Sequence, residues 1–394
     1  MRRIAKYAFG VVVILSGTAR TQADIATWNA PALDTWTYPA AGTPGTRTEA
    51  PTFMTSPGLD ANDHFLPGTA RDPSRRGMML AAFDTSTQIE PGKLPAQYLI
   101  TSVTVTFTQE HGTAGLLQYD DTPDSNAEVL ADYINNVVDA ARPMELYGVG
   151  FQAEHVGFDL SGGDPEGKLF SEDEYPYSPS GANGVLVAYP IASDESGDAV
   201  DVSNSLTGGY SATASGQQTL AFDSVPWSIG KNASLNPGDE IPFNTTFKFE
   251  LDLELPGVNE YVQQGLATGA LGFFLSSQHF PGDPHNGATL PYPQWYTKEY
   301  PSGFGGSAPT LAIDYELASL AGDFDDDGDV DADDLTLWQD DFGTEYDGRD
   351  FLAWQRNYTG SLVGTLAAVP EPPSAMLFAI SMAGLFVARL KSLR

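Results

Sequence analysis

Phe247-Lys248-Phe249-Glu250-Leu251-Asp252-Leu253-Glu254-Leu255 sets an apolar residue at every odd position and a charged one at every even position. That period of two is the mark of a β-strand with one dry face and one wet face. Working outward, Leu311, Ile313 and Tyr315 alternate with Ala312, Asp314 and Glu316, which predicts a final strand. Ile100, Val103, Val105 and Phe107 form a β-branched run, and Leu271 to Leu275 a short apolar one. Stretches rich in Gly, Pro and Asp, such as 161–184 and 280–293, separate these segments. Two short helices are expected, about 126–138 (Val129, Tyr133, Val137) and about 259–267. Many strands joined by long loops predict a mainly β domain over 24–318, a β-sandwich of jelly-roll type.

The composition allows such a domain a core. Of 394 residues, 41% are hydrophobic, and 40 Gly with 28 Pro make the chain rich in turns without low complexity. The formal charge is -33. Seven of the 19 basic residues lie at the two ends (Arg2, Arg3, Lys6, Arg20, Arg389, Lys391, Arg394), leaving 12 against about 52 acidic ones, a body charge near -40. A surface of that sign repels phosphate backbones, so nucleic acid is excluded as a partner. Divalent cations are its natural counter-ions, and the charge also keeps an exported protein soluble. Cysteine is absent, which removes disulfides, thiol chemistry and Cys-zinc sites.

The densest acidic run is Asp323-Phe324-Asp325-Asp326-Asp327-Gly328-Asp329-Val330-Asp331-Ala332-Asp333-Asp334. Calcium wants six to eight oxygens, and an EF-hand loop offers them at positions 1, 3, 5, 7, 9 and 12 with Gly at 6. Here those positions are Asp323, Asp325, Asp327, the Asp329 carbonyl, Asp331 and Asp334, and Gly328 sits at the turn. A repeat follows. Asp334-Leu335-Thr336-Leu337-Trp338-Gln339 returns sixteen residues later as Asp350-Phe351-Leu352-Ala353-Trp354-Gln355. Leu335, Trp338 and Phe342, and again Phe351, Trp354 and Tyr358, share one face of a short helix. Gly343 and Gly360 stand where the helices should stop. Over 319–362 the chain resembles a dockerin, a duplicated calcium-loop and helix module whose short Asp at position 12 it shares. Only the first loop is complete, because counting back from Asp350 lands on Gln339 inside the first helix. The resemblance implies a cohesin-like partner read through Ala332 and Asp333, which differ from the usual hydroxyl pair. The alternative is a calcium-stapled spacer.

Both ends read as addresses. Arg2, Arg3 and Lys6 precede an apolar run from Ala8 to Leu15, too short to span a bilayer, and Ala23 offers a small residue for cleavage. Residues 1–23 therefore read as a secretory signal peptide. At 363–394, Pro370-Glu371-Pro372 is followed by an apolar run from Ser374 to Ala388 and a basic end. This order resembles the PEP-CTERM sorting signal of exported bacterial proteins. The resemblance implies a transient C-terminal membrane helix, a membrane sorting protease or transpeptidase as partner, and delivery to the cell surface or extracellular matrix. A permanent anchor is the alternative.

The large domain carries a second resemblance. Phe83-Asp84-Thr85, Ile89-Glu90-Pro91, Ile100 to Val105, Val258 to Gln263 before Leu271-Gly272-Phe273, and Ala308 to Tyr315 are similar to the start, penultimate turn and last strand of DNRLRE-type jelly-roll domains. The resemblance skips 110–245 and implies that a polysaccharide is a candidate ligand. Trp227, Tyr292, Trp295 and Tyr296 are candidate stacking platforms for it. Catalytic motifs are missing: no phosphate-cradling Gly-rich loop, no Gly-x-Ser-x-Gly, no His-Glu-x-x-His. No catalytic residue is assigned. Three readings stand: a non-catalytic surface protein that binds a polysaccharide or envelope component, a polysaccharide-degrading enzyme with two buried carboxylates in a cleft, and a purely structural matrix protein.

Overall fold

The computed structural model describes residues 24–358 apart from 39–43, 55–56, 60–64, 71–76, 114–115, 126–127, 130, 133–134, 136–140, 153, 162–168, 173, 175–185, 195, 203–224, 284–287, 301–305 and 326–327. The chain divides into two compact units, Met1–Ala318 and Ser319–Arg394. The first, the body, begins with β1 (Asp24–Trp28), β2 (Leu33–Thr37), β3 (Glu49–Pro51), β4 (Pro57–Leu59), β5 (Phe65–Ala70) and β6 (Met78–Asp84). It continues with β7 (Tyr98–Thr113), β8 (Met144–Phe151), β9 (Gly157–Phe158), β10 (Leu169–Phe170), β11 (Ala188–Ser193) and β12 (Ala199–Asp201). It ends with β13 (Ser228–Ile229), β14 (Thr245–Glu250), α1 (Val258–Thr268), β15 (Ala270–Ser277), β16 (Tyr292–Tyr296) and β17 (Thr310–Leu317).

The body is mainly β, built on two large antiparallel sheets. One runs β1-β17-β7-β16-β3, with β14 also on β7, and the other runs β12-β11-β8-β15-β6-β2, with β13 also on β8. Along the chain β6 to β8 and β13 to β16 alternate between the two sheets, whereas β11 to β13 stay with β8 in the second and β17 stays with β16 in the first. Val103, Val105, Phe107, Phe247, Phe249, Leu311 and Ile313 from the first share a core with Met79, Ala81, Phe83, Leu146, Phe273 and Leu275 from the second. The second sheet is buried on its other face too, where Met78, Leu80, Ala82, Tyr147 and Phe274 meet Phe170, Leu186 and Phe280. A sheet covered on both sides needs unbroken apolar strands, and Met78-Met79-Leu80-Ala81-Ala82-Phe83 is such a run.

The strand opened by Phe247 stops earlier than its alternation suggests. β14 ends at Glu250, where Leu251 N–H still donates to the Val103 carbonyl. The Asp252 carboxylate then accepts the Glu254 N–H at 3.0 Å, and a turn replaces the strand. Aspartate competes for its own backbone in this way and favours turns. Leu253 and Leu255 still pack against the core from that turn. Helix α1 covers the predicted 259–267 and buries Val258, Val262 and Leu266. In the expected helix at 126–138, the described residues Glu128, Val129, Ala131 and Asp132 are helical, whereas Tyr133 and Val137 fall outside the described residues.

The second unit holds α2 (Ala332–Asp340) and α3 (Gly348–Asn357) behind the aspartate loop. The sorting motif Pro370, Glu371 and Pro372, Gly360 and the N-terminal signal lie outside the described residues. Among the described residues no helix is long and apolar enough to cross a membrane.

Candidate functional site

Asp334 organises the aspartate loop. Its side chain is fully buried. Oδ1 accepts from the Phe324 N–H at 2.5 Å and the Asp325 N–H at 3.3 Å, and Oδ2 accepts from the Asp331 N–H at 2.7 Å. One carboxylate thus ties the start of the loop to its end and closes a capping box at the head of α2. Around it, single oxygens of Asp323, Asp325 and Asp334 lie within 4.8 Å of one another, and so do those of Asp329, Asp331 and Asp334. Gly328, at φ 99°, makes the sharp turn, and its N–H donates to Asp323 Oδ2 at 3.1 Å. Five of the six residues named from the sequence thus fall into two triplets that share Asp334, with the Asp329 carboxylate rather than its expected carbonyl in the second, and Asp327 lies outside the described residues. An oxygen-only donor set of this kind suits a hard cation such as calcium.

The sixteen-residue repeat becomes an exchange of hydrogen bonds. Trp338 on α2 donates from Nε1 to the carbonyl of Asp347, which caps α3, at 2.8 Å. Trp354 on α3 donates from Nε1 to the carbonyl of Asp331, which caps α2, at 2.5 Å. Each indole thus secures the start of the other helix. Phe342, Trp338, Phe351, Trp354 and Tyr358 form one ladder of rings with successive centroids 4.8, 4.8, 5.6 and 4.9 Å apart. The second half keeps the capping box, Asp347 with Asp350, and replaces the loop by a tight turn at 341–346.

The aromatic platform is corrected by the structure: three of its four side chains are core. Trp227 is buried against Tyr261, and Gly148 makes room for it, since a Cβ there would stand 2.0 Å from the indole. Trp295 is enclosed by Phe107 and Phe247, and its Nε1 donates to Thr52 Oγ1 at 3.0 Å. Tyr296 is buried, donates to Asn244 Oδ1 at 2.6 Å, and has its phenol pushed up to about 12 by burial. Tyr292 is half-buried against Phe53. Rings held edge-on in a core have no free face for a sugar. A groove of about 440 Å³ does open beside Trp227, its charged lining being Asp121, Glu250 and Asp252 with Lys231 and Lys248. Lys231 and Lys248 are exposed there and directly opposite, exchanging backbone hydrogen bonds at 2.8 and 2.9 Å.

A second carboxylate group was invisible in the sequence. Asp34 in β2, Glu172 after β10 and Glu299 after β16 bring one oxygen each within 4.8 Å of one another. The Lys298 ammonium lies 2.5 Å from Glu172 Oε1 and 4.0 Å from Glu299 Oε1, and donates to the Ala32 carbonyl at 2.6 Å. Burial raises the Asp34 carboxyl well above its usual range, and the neighbouring Glu299 raises it further. Burial raises Glu299 as well. More than a hundred residues separate these groups along the chain, so no local spacing announces them.

No family model matches this chain, and no curated protein or solved structure does either.

Proposed function

We propose that this is an exported, surface-sorted, non-catalytic protein whose small unit binds one calcium ion between a ligand-binding β body and a sorting tail. The observation that carries the reading is Asp334: a fully buried carboxylate whose two oxygens hold both ends of a loop crowded with aspartates. Burying one charge among others of the same sign costs several kcal/mol unless a cation is present. Calcium supplies that charge, and its binding energy becomes the folding energy of the unit. The signal-like pattern of residues 1–23 and the Pro370-Glu371-Pro372 tail support export and processing by a membrane sorting enzyme. The body is read as a jelly roll, a reading supported by its two antiparallel sheets sharing one core. Its ligand is a polysaccharide or envelope component, and the groove beside Trp227 is the candidate place for it.

Titrating residues 319–362 with calcium while following Trp338 and Trp354 emission tests the metal reading. A saturable change that Asp334→Asn abolishes is expected, and no change at millimolar calcium defeats it. Native gels of the full chain cast with acidic and neutral polysaccharides test the body. Retardation by one polymer class, reduced when Lys231 and Lys248 are both changed to Ala, is expected. Shortening of the polymer would instead favour a degrading enzyme.

A further inference from the structure

Asp34, Glu172 and Glu299 crowd three carboxyl groups around the single Lys298 ammonium, which faces Glu299 Oε1 at 4.0 Å. Asp34 Oδ2 accepts the Lys298 N–H at 2.8 Å, and Glu172 Oε1 accepts the Asp34 N–H at 2.9 Å together with the Lys298 ammonium. Asp34 Oδ1 and Glu299 Oε2 remain, both buried and both without a hydrogen-bond donor. Asp34 itself is 0% exposed. Buried acceptors are almost always paired, so either a proton shared between Asp34 and Glu299 or a cation stands between these two oxygens. The ammonium is already committed to Glu172 and to the Ala32 carbonyl. We infer that Asp34, Glu172 and Glu299 bind a divalent hard cation of the calcium class within the body.

The donor set is oxygen alone, with no imidazole or thiolate, which selects calcium-like ions over zinc or copper. The donors come from three distant segments. Asp34 belongs to β2 of the second sheet, Glu299 follows β16 of the first, and Glu172 follows the short β9–β10 ribbon. A bound ion therefore staples the two sheets and the ribbon at one point, a task that disulfides cannot perform in a chain without cysteine. Lys298 works against the ion by Coulomb repulsion and sets its affinity low.

The test is calcium stoichiometry on the purified full chain by equilibrium dialysis. The parent is expected to bind one ion more than Asp34→Asn, whereas Asp334→Asn, which removes the loop site, retains the ion held by Asp34. Lys298→Met should tighten the body site by about tenfold, since it deletes a positive charge beside the ion. A cluster that serves only structure gives no such gain. Glu172→Gln, at a side chain 28% exposed, should weaken the site by about tenfold or more and covers the case in which Asp34→Asn does not fold. The proposal is overturned if folded Asp34→Asn or Glu172→Gln binds calcium as the parent does. It is equally overturned if the Asp334→Asn chain binds none. Failure of the loop alone reads differently: one ion in the parent, unchanged by Asp334→Asn and lost with Asp34→Asn.

Discussion

The two units solve the same problem, holding a cysteine-free acidic chain in shape, by opposite means. The body buries large apolar side chains from both sheets, Trp295, Phe107, Phe247 and Phe273 among them. In the described part of the small unit, the only buried side chains beyond glycine are Val330 and Asp334. Neither helix there buries an apolar residue: α2 buries only Asp334 and α3 none. Apolar area stabilises the first, and directed bonds to carboxylates and carbonyls stabilise the second. A unit this small lacks the core to fold on hydrophobic burial and needs a staple. The contrast teaches that one chain can carry two independent stability mechanisms with different sensitivities to solvent, ions and pH.

The largest expected effect separates them outright. Chelating calcium should unfold the small unit, exposing Trp338 and Trp354 to water, while the body, whose apolar core holds it without the ion at Asp34, keeps its far-ultraviolet β signature. Simultaneous loss of both signals would break the comparison. Next comes Phe247→Ala, which removes a fully buried ring from between Tyr119 and Trp295 and should destabilise the body by about 3–5 kcal/mol in urea. The calcium response of the small unit should not change with it.

The third effect belongs to Glu145, which is buried in β8 and accepts from the Tyr147 hydroxyl at 3.1 Å. Burial pushes its carboxyl from 4.5 up to about 8, opposed by the Tyr147 bond and helped by Asp124. In the unfolded chain the same group ionises near its ordinary value. Between the two values the folded state therefore holds a proton that the unfolded state has lost, and stability falls as pH rises, by about 1.4 kcal/mol per unit. The loss is complete once pH passes through about 8. Glu145→Gln should flatten that slope and stabilise the body at neutral pH by about 1–3 kcal/mol, read from urea midpoints across pH. A slope unchanged in the variant would move the effect to another group.

The smallest effect probes the exchanged indoles. Trp354→Phe keeps the ring ladder but deletes the bond to the Asp331 carbonyl, and should cost the small unit about 1 kcal/mol in calcium-loaded thermal unfolding. Trp338→Phe should cost a similar amount through Asp347. Strongly unequal costs would mean that one half alone carries the unit.

Local chemistry was legible and long-range convergence was not. The alternation around Phe249 and Ile313 marked strands because period two is a property of the backbone itself. The early stop after Glu250 was hidden because Asp252 reads as one more wet-face charge until its side chain is seen closing a turn. The return of Asp334 to Gln339 as Asp350 to Gln355 implied two like halves, and the structure adds that each half bonds the other. The aromatics failed as platforms because sequence gives a ring's identity but not which side of a sheet it faces, and Trp227 and Trp295 face the core. Asp34, Glu172 and Glu299 failed to register at all, since their meeting depends on how β2, β10 and β16 are folded together.

The pairing of β1 with β17 has a mechanical consequence. The last strand of the body lies between two others, bonded to β1 from Asp24↔Tyr315 to Trp28↔Leu311 and to β7 along its whole length. A pull applied at Leu317 along the strand would load both ladders in shear, so that many hydrogen bonds must yield together rather than one after another. Resistance to force is governed by the unfolding rate rather than by equilibrium stability. A body held by its C-terminal end would thus take the strain of its tether on a clamped strand, and a single-molecule pull from that end should meet its highest rupture force there.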